Sequence, residues 1–249
     1  MANRDLLEKA LKIIQEGDAR GVSLRLLGGL AVCVVSPSAI NQASLQREYA
    51  DIDFVGLGRD NWKIKHLFRD LGYIPDDRFN ALHGNTRLLF FTSNGERHID
   101  IFLDRFRMCH NLDLRQRLFN GYSTLSLADL LITKLQVVQM NEKDMMDILA
   151  ILLDHKVQPE ENQQLIDLAY LARLVSGDWG LYTTVSDNLQ RASAELQNYL
   201  NEQQCKIVVR RIEAILDTLD AVPKTTTWRL RAKIGRRMEW YELPDEVNR

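Results

Sequence analysis

The chain has little of what marks secreted, membrane-spanning or metal-stapled proteins. Its three cysteines, Cys33, Cys109 and Cys205, show no Cys-x-x-Cys spacing and no nearby histidine pair, so neither a disulfide framework nor a zinc site is expected. No apolar run approaches the roughly 18 residues that a membrane helix needs. The first fifteen residues read as an amphipathic helix with Asp5, Glu8 and Lys9 outward, unlike a signal peptide. A reduced, cytoplasmic chain with no membrane partner is the expectation. The five prolines are scattered, leaving no proline-rich linker, and there is no internal repeat or low-complexity segment. Neither sign of charge prevails: 32 Lys and Arg face 34 Asp and Glu, for a formal charge of −2. That excludes a protein basic throughout, of the kind that coats nucleic acid.

What is present is enough apolar residue, 45% of 249, to bury a core in one large domain or two small ones. Apolar positions at Leu6, Leu7, Ala10, Leu11, Ile13 and Ile14 predict a helix over 4–17. Val22 to Leu27 reads as a strand, ended by Gly28-Gly29, and Leu30 to Val35 as a short helix stopped at Ser36-Pro37. A polar loop, 36–48, leads to the alternating run Ala50-Asp51-Ile52-Asp53-Phe54-Val55-Gly56, a strand with two carboxylates on one face. A helix is expected over 61–70. The runs 87–92 and 97–103 predict a hairpin around Ser93-Asn94-Gly95-Glu96, its second arm placing Asp100 on one face with His98 and Phe102. After Gly121 the pattern turns helical, with helices expected over 126–138, 143–153, 160–175 and roughly 186–220. The boundary is placed at residues 123 and 124. The expected fold class is thus α+β: a core over 1–123 with a mixed, mainly antiparallel sheet, then an all-α domain over 124–249.

Chemistry concentrates in three pieces: Gly28-Gly29 after a strand, Asp51-x-Asp53 on a strand, and Asp100 between Ile99 and Ile101. A carboxylate inside an apolar strand is costly to bury unless a cation or strong donors meet it. Three of them invite a hard divalent ion such as Mg²⁺, which takes oxygen ligands and leaves positions for substrate phosphates. In two-metal phosphoryl transfer the ions sit about 3.5 to 4 Å apart and stabilise the attacking and leaving oxygens. The strand period of two points Asp51 and Asp53 the same way. The glycine pair lets backbone approach a triphosphate and offer N–H donors. Taken alone, a glycine pair is a plain turn and an Asp-x-Asp an exposed strand face; the ordered combination is what points to this chemistry.

Leu27-Gly28-Gly29-Leu30-Ala31, Ala50-Asp51-Ile52-Asp53-Phe54 and Ile99-Asp100-Ile101 together resemble the pattern of the DNA polymerase β-like nucleotidyltransferase superfamily. The resemblance covers about residues 22–155. It implies a nucleotidyltransferase core in which Asp51 and Asp53 bind two Mg²⁺ ions, Asp100 helps hold the catalytic ion and activate the acceptor hydroxyl, and Gly28 and Gly29 lie against the phosphates of an NTP. A further stretch, Ser126 to Leu135 followed by Lys143-Asp144-Met145-Met146-Asp147-Ile148, is similar to the AbiEii-type branch. By that similarity Lys134 would meet the triphosphate, and Asp144 or Asp147 would orient it or the base. The residues themselves leave a second reading of Asp144: acidic groups in a first helical turn, here capped by Asn141, are favoured by the helix dipole alone.

The near-zero total charge hides one segment. Residues 1–223 hold 25 basic and 30 acidic residues, whereas 224–237 hold six basic residues and no acid: Lys224, Arg229, Arg231, Lys233, Arg236 and Arg237. Such a run binds acceptor RNA or DNA phosphates, or is a surface helix balancing the acidic remainder of the chain. The function these features imply is transfer of a nucleoside monophosphate from an NTP to an acceptor hydroxyl, with release of pyrophosphate. The acceptor is left open between RNA, protein and a small molecule. The competing expectation is a non-catalytic nucleotide-binding or protein-interaction module on the same fold.

Overall fold

The computed structural model describes residues 2–95, 97–119, 121–159 and 165–243. The chain divides into two compact units, one made of residues 1–34, 47–107 and 111–125, the other of 35–46, 108–110 and 126–249.

From the N-terminus the elements are α1 (Ala2–Ala19), β1 (Leu24–Leu27), α2 (Gly28–Val35), α3 (Pro37–Ile40), β2 (Ile52–Gly56), α4 (Asn61–Asp70), β3 (Ile74–Pro75), α5 (Asp77–His83), β4 (Arg87–Phe91), β5 (His98–Leu103), β6 (Arg105–Arg107) and β7 (Asn111–Asp113). The largest sheet is five-stranded, in the order β1-β2-β5-β4-β3. Only the β2–β5 pair is parallel; β1–β2, β4–β5 and β3–β4 are antiparallel, so the sheet is mixed and mainly antiparallel. One of its faces is apolar, because alternate residues Ile52 and Phe54 of β2, Ile99 and Ile101 of β5 and Leu88 and Phe90 of β4 are all buried. Phe68 of α4 stacks on Phe90 at 4.7 Å and meets Phe54 edge-on at 6.2 Å, which fixes α4 to that face. On α1, Leu6, Ala10, Ile13 and Ile14 are buried, at the spacing that the sequence predicts for one helical stripe.

Both edges of the sheet are closed without long strands. Residues 123–125 run beside β1, with Leu26 N–H donating to Ser123 O at 2.8 Å and Leu125 N–H to Leu26 O at 3.0 Å. Beyond the two-residue β3, the Asn80 side chain imitates a strand, donating to Leu89 O at 2.9 Å and accepting from Leu89 N–H at 2.8 Å. Covered edges of this kind resist pairing with another chain.

The C-terminal half is predominantly helical: α6 (Leu127–Leu135), α7 (Glu142–Asp154), α8 (Leu168–Gly177), α9 (Trp179–Glu195), α10 (Glu202–Ala221) and α11 (Thr226–Ile234). It also carries a small parallel ladder, β8 (Lys156–Gln158) with β9 (Leu165–Asp167), that an all-α expectation omits. Polar caps decide the boundaries. Ser126, Asn141, Asp167, Asp178, Asn201 and Thr225 each accept a hydrogen bond from a backbone N–H in the first turn of the adjoining helix.

Those caps explain where the helical expectations differ from the structure. The helix expected over 160–175 begins only at Leu168, since Leu165–Asp167 pair as β9 and Asp167 caps α8; residues 160–164 lie outside the described residues. The helix expected over 186–220 is two, because a capping box of Asn201 and Gln204 starts α10 afresh after a 3-10 turn at Leu196–Asn198. The loop over 36–48 contains the single turn α3, started by Pro37. In the expected hairpin, β4 and β5 pair as an antiparallel ladder, while Glu96 of its turn lies outside the described residues. Among the described residues no helix is long and apolar enough to cross a membrane.

Candidate active site

Strand register assembles the first polar centre within the sheet unit. Leu27, the last residue of β1, lies opposite Asp53 of β2, and Asp53 lies opposite Asp100 of β5. The chain therefore leaves β1 into Gly28 at the level of both carboxylates. Because β2 and β5 are parallel, the period of two places Asp51, Asp53, His98 and Asp100 on the face away from the Ile52, Phe54, Ile99 and Ile101 core.

The glycine pair is explained by its neighbours. Gly28 has φ of +70°, and a Cβ there would overlap Oδ2 of Asp53. A Cβ on Gly29 would overlap the Arg47 guanidinium and press on the Tyr49 ring. The two glycines thus admit a carboxylate and a guanidinium against the main chain at the start of α2. Arg47 in turn lies over the Tyr49 ring at 4.3 Å, and Arg97 donates to Tyr49 O at 3.2 Å. Arg47 is a site residue that sequence reasoning passed over. Its signal was present, an arginine four positions before Asp51, but nothing local says that it folds back onto Gly29.

Asp51 and Asp53 are each partly exposed. Asp51 Oδ1 lies 3.1 Å from Nδ1 of His98, so the histidine beside Asp100 in sequence serves a different carboxylate. Asp100 is only 5% exposed. Arg87 holds it in a bidentate pair, Nε to Oδ1 at 2.6 Å and Nη2 to Oδ2 at 2.7 Å. The guanidinium is flanked by Phe102 at 4.9 Å and Phe79 at 5.7 Å. A buried carboxylate needs a cation, and here the cation is Arg87, reaching diagonally from β4.

Among the described residues no group of three His, Cys, Asp or Glu side chains is arranged to hold a metal ion. The donor chemistry of Asp51 and Asp53, hard carboxylate oxygens two residues apart on a strand, fits Mg²⁺. Asp100 offers such oxygens only when Arg87 withdraws, since both are engaged.

The second polar centre belongs to the helical unit. Lys134 Nζ on α6 lies 2.9 Å from Asp144 Oδ1 and 2.9 Å from Asp147 Oδ2, both on α7. The structure thus brings together the three residues that the sequence singled out there. Burial of Lys134 favours the neutral amine, but the charges and hydrogen bonds of Asp147 and Asp144 outweigh it and hold the ammonium well above the usual lysine pKa. Asn141 caps α7, accepting from Asp144 N–H at 3.0 Å, so Asp144 meets both the helix start and the lysine.

The basic segment is not a free run. Arg231 donates to Gly235 O and Met238 O, each at 2.7 Å, and lies over the Trp179 ring at 4.8 Å. Lys224 bonds Leu219 O and Val222 O and sits between the rings of Tyr182 and Trp228. Arg236 pairs with Asp187 at 2.7 Å. Lys224 and Arg231 close helix ends, and Arg236 ties the turn after α11 to α9. Arg229, Lys233 and Arg237 remain exposed.

No family model matches the chain, and no curated protein matches it. Solved structures similar to it include the following two. The crystal structure of the lincosamide antibiotic adenylyltransferase LnuA, lincomycin-bound, has a TM-score of 0.41 at 20% identity, over 58% of this chain and 95% of that one. The solution structure of the antibiotic-resistance factor ANT(2'')-Ia has a TM-score of 0.42 at 12% identity, over 71% of this chain and 96% of that one. Both values lie below the level at which a likeness says anything about function.

Proposed function

We propose that the chain is a nucleotidyltransferase that moves a nucleoside monophosphate from an NTP to an acceptor hydroxyl. The observation that carries this reading is the register Leu27–Asp53–Asp100, which sets two carboxylates side by side at the point where the chain turns through Gly28, with Asp51 on the same face.

The acceptor oxygen forms a bond to the α-phosphorus, the bond from that phosphorus to the bridging oxygen breaks, and pyrophosphate leaves. Asp51 and Asp53 would hold Mg²⁺, which supplies charge neutralisation for the phosphates when bound. Gly28 and Gly29 leave main chain accessible to the outgoing phosphates, and Arg47 adds a fixed positive charge beside Gly29. Asp100 accepts the hydroxyl proton once Arg87 releases it. Lys134, Asp144 and Asp147 are the proposed nucleotide-binding set of the helical unit. Arg229, Lys233 and Arg237 are the cations of the basic segment left for an RNA acceptor.

Asp53→Ala is expected to abolish acceptor labelling from α-³²P-NTP while circular dichroism and the melting temperature stay near wild type. Undiminished labelling in that variant would sink the reading. The Arg87–Asp100 pair favours one alternative, a nucleotide-binding module without catalysis, because it occupies the third carboxylate. Calorimetric titration of each NTP separates the two: the enzyme binds triphosphate far more tightly with Mg²⁺ than without, and the module does not.

A further inference from the structure

We propose that the sheet unit contains a second, separate binding site, a cavity that takes a phosphate monoester of about sugar size. The cavity has a volume of about 330 Å³ and lies between α1, the 71–73 loop after α4 and the 92–94 turn of the β4–β5 hairpin. Small-ligand pockets begin at roughly 300 Å³, so it exceeds what a bare ion fills.

Its lining has one sign of charge. Lys9 and Lys12, three apart on α1 and therefore on one face, both line it, and among the described residues no carboxylate does. Three of the four acids of α1 are matched elsewhere: Glu8 lies 3.2 Å from Arg4, Glu16 3.7 Å from Arg20 and Asp18 3.3 Å from Arg25; the fourth, Asp5, is exposed in the first turn and does not line the cavity. Among the described residues neither lysine forms an ion pair. A phosphate monoester carries close to two negative charges at neutral pH, which two ammonium groups balance.

The opposite walls are held rigid. After α4 the chain closes in a Schellman turn, with Tyr73 N–H donating to Phe68 O and Gly72 N–H to Arg69 O, each at 2.9 Å. Gly72 takes φ of +83° with nothing within 4 Å of a would-be Cβ, so the glycine serves the turn and leaves the mouth open. In the hairpin turn Thr92 Oγ1 lies 2.7 Å from Asn94 Oδ1, and Gly95 N–H donates to Thr92 O at 2.8 Å, while Ser93 stays exposed. Burial raises the Tyr73 phenol, keeping it a neutral O–H donor. Ile13 and Leu71 add apolar wall for the body of the ligand.

This cavity is distinct from the carboxylate centre. The 92–94 turn leads into His98 and so lies at the same end of the sheet as Asp51 and Asp53, but α1 and α4 belong to the face that buries Ile52, Phe54 and Phe90. The carboxylates occupy the other face. The proposal therefore stands whether or not the chain transfers nucleotides.

Amide resonances of uniformly ¹⁵N-labelled full-length protein, titrated with ribose 5-phosphate, inorganic phosphate, ribose and sodium chloride at matched ionic strength, test it. Saturable shifts are expected at Gly72, Tyr73, Ser93 and Asn94 with ribose 5-phosphate, weaker with phosphate and absent with ribose. A Lys9→Gln, Lys12→Gln double variant, changed only at exposed positions, should weaken binding by about tenfold or more. Asp53→Ala should bind as wild type. Ribose binding as tightly as its phosphate, a response indistinguishable from chloride, or a double variant that binds normally would each overturn the proposal.

Discussion

Asp100 and Asp147 are both buried carboxylates met by one basic side chain, yet the two arrangements do opposite things. In the sheet unit, one guanidinium and one carboxylate form a balanced bidentate pair beside the half-exposed Asp51 and Asp53. In the helical unit, a single ammonium serves two carboxylates and joins α6 to α7. The first is a neutral pair whose basic partner a different cation could replace. The second is a net negative cluster in which one lysine serves two acids. A charge calculated from sequence treats both alike; what differs is how many acids each cation must satisfy and whether water reaches it.

That contrast can be broken most sharply at Lys134. Lys134→Met removes the cation that the buried Asp144 and Asp147 share, and chemical denaturation should show a loss of about 3 to 5 kcal/mol. The same change at Arg87 should cost less, about 2 kcal/mol, because the Arg87 side chain is 25% exposed and water enters. The distinguishing measurement is the response to metal: Mn²⁺ should raise the melting temperature of Arg87→Met more than that of wild type, and should do nothing comparable for Lys134→Met. Equal responses would mean that Asp100 is as structural as Asp147.

A smaller effect is expected at Gly28. Gly28→Ala places a Cβ on the Asp53 carboxylate at φ +70° and should cost about 1 kcal/mol, read from the denaturation midpoint, together with loss of nucleotide labelling. The smallest concerns alkaline pH. Lys134 has a folded pKa above its unfolded one, so its contribution is complete below the unfolded value and is lost as pH rises through the folded value. The stability gap between wild type and Lys134→Met should therefore stay constant from about pH 7 to about pH 10 and narrow above it. A gap that narrowed between about pH 6 and 9 would contradict the assignment.

Much of the candidate site was legible because its signals are local. Alternation at Asp51-Ile52-Asp53-Phe54 and Ile99-Asp100-Ile101 reports which face each carboxylate takes, since a strand's side chains must alternate. The glycine pair announced a close approach, although its occupants, Asp53 and Arg47, come from a later stretch of the chain. Short elements carried no comparable signal. The two-residue β3, the seven-residue α5 and the three-residue β8 and β9 are too brief for periodicity to show: β3 forms on the edge of β4, Asp76 caps α5, and β8 and β9 pair with each other across an intervening stretch of chain.

From its pattern of residues alone the chain is committed to a sheet-bearing first half, a helical second half, and a set of acids on defined strand faces. Partnership is another matter, because an ion pair is a through-space choice. Nothing in the order of residues says that Arg87 satisfies Asp100, that His98 turns to Asp51, or that Lys134 is shared by two acids. The same holds for the basic segment, half of whose charge is spent within its own unit, on helix ends and on Asp187. Periodicity assigns a side chain to a face; only folding settles which opposite charge lies within about 3 Å of it, and so which charges are left for a ligand.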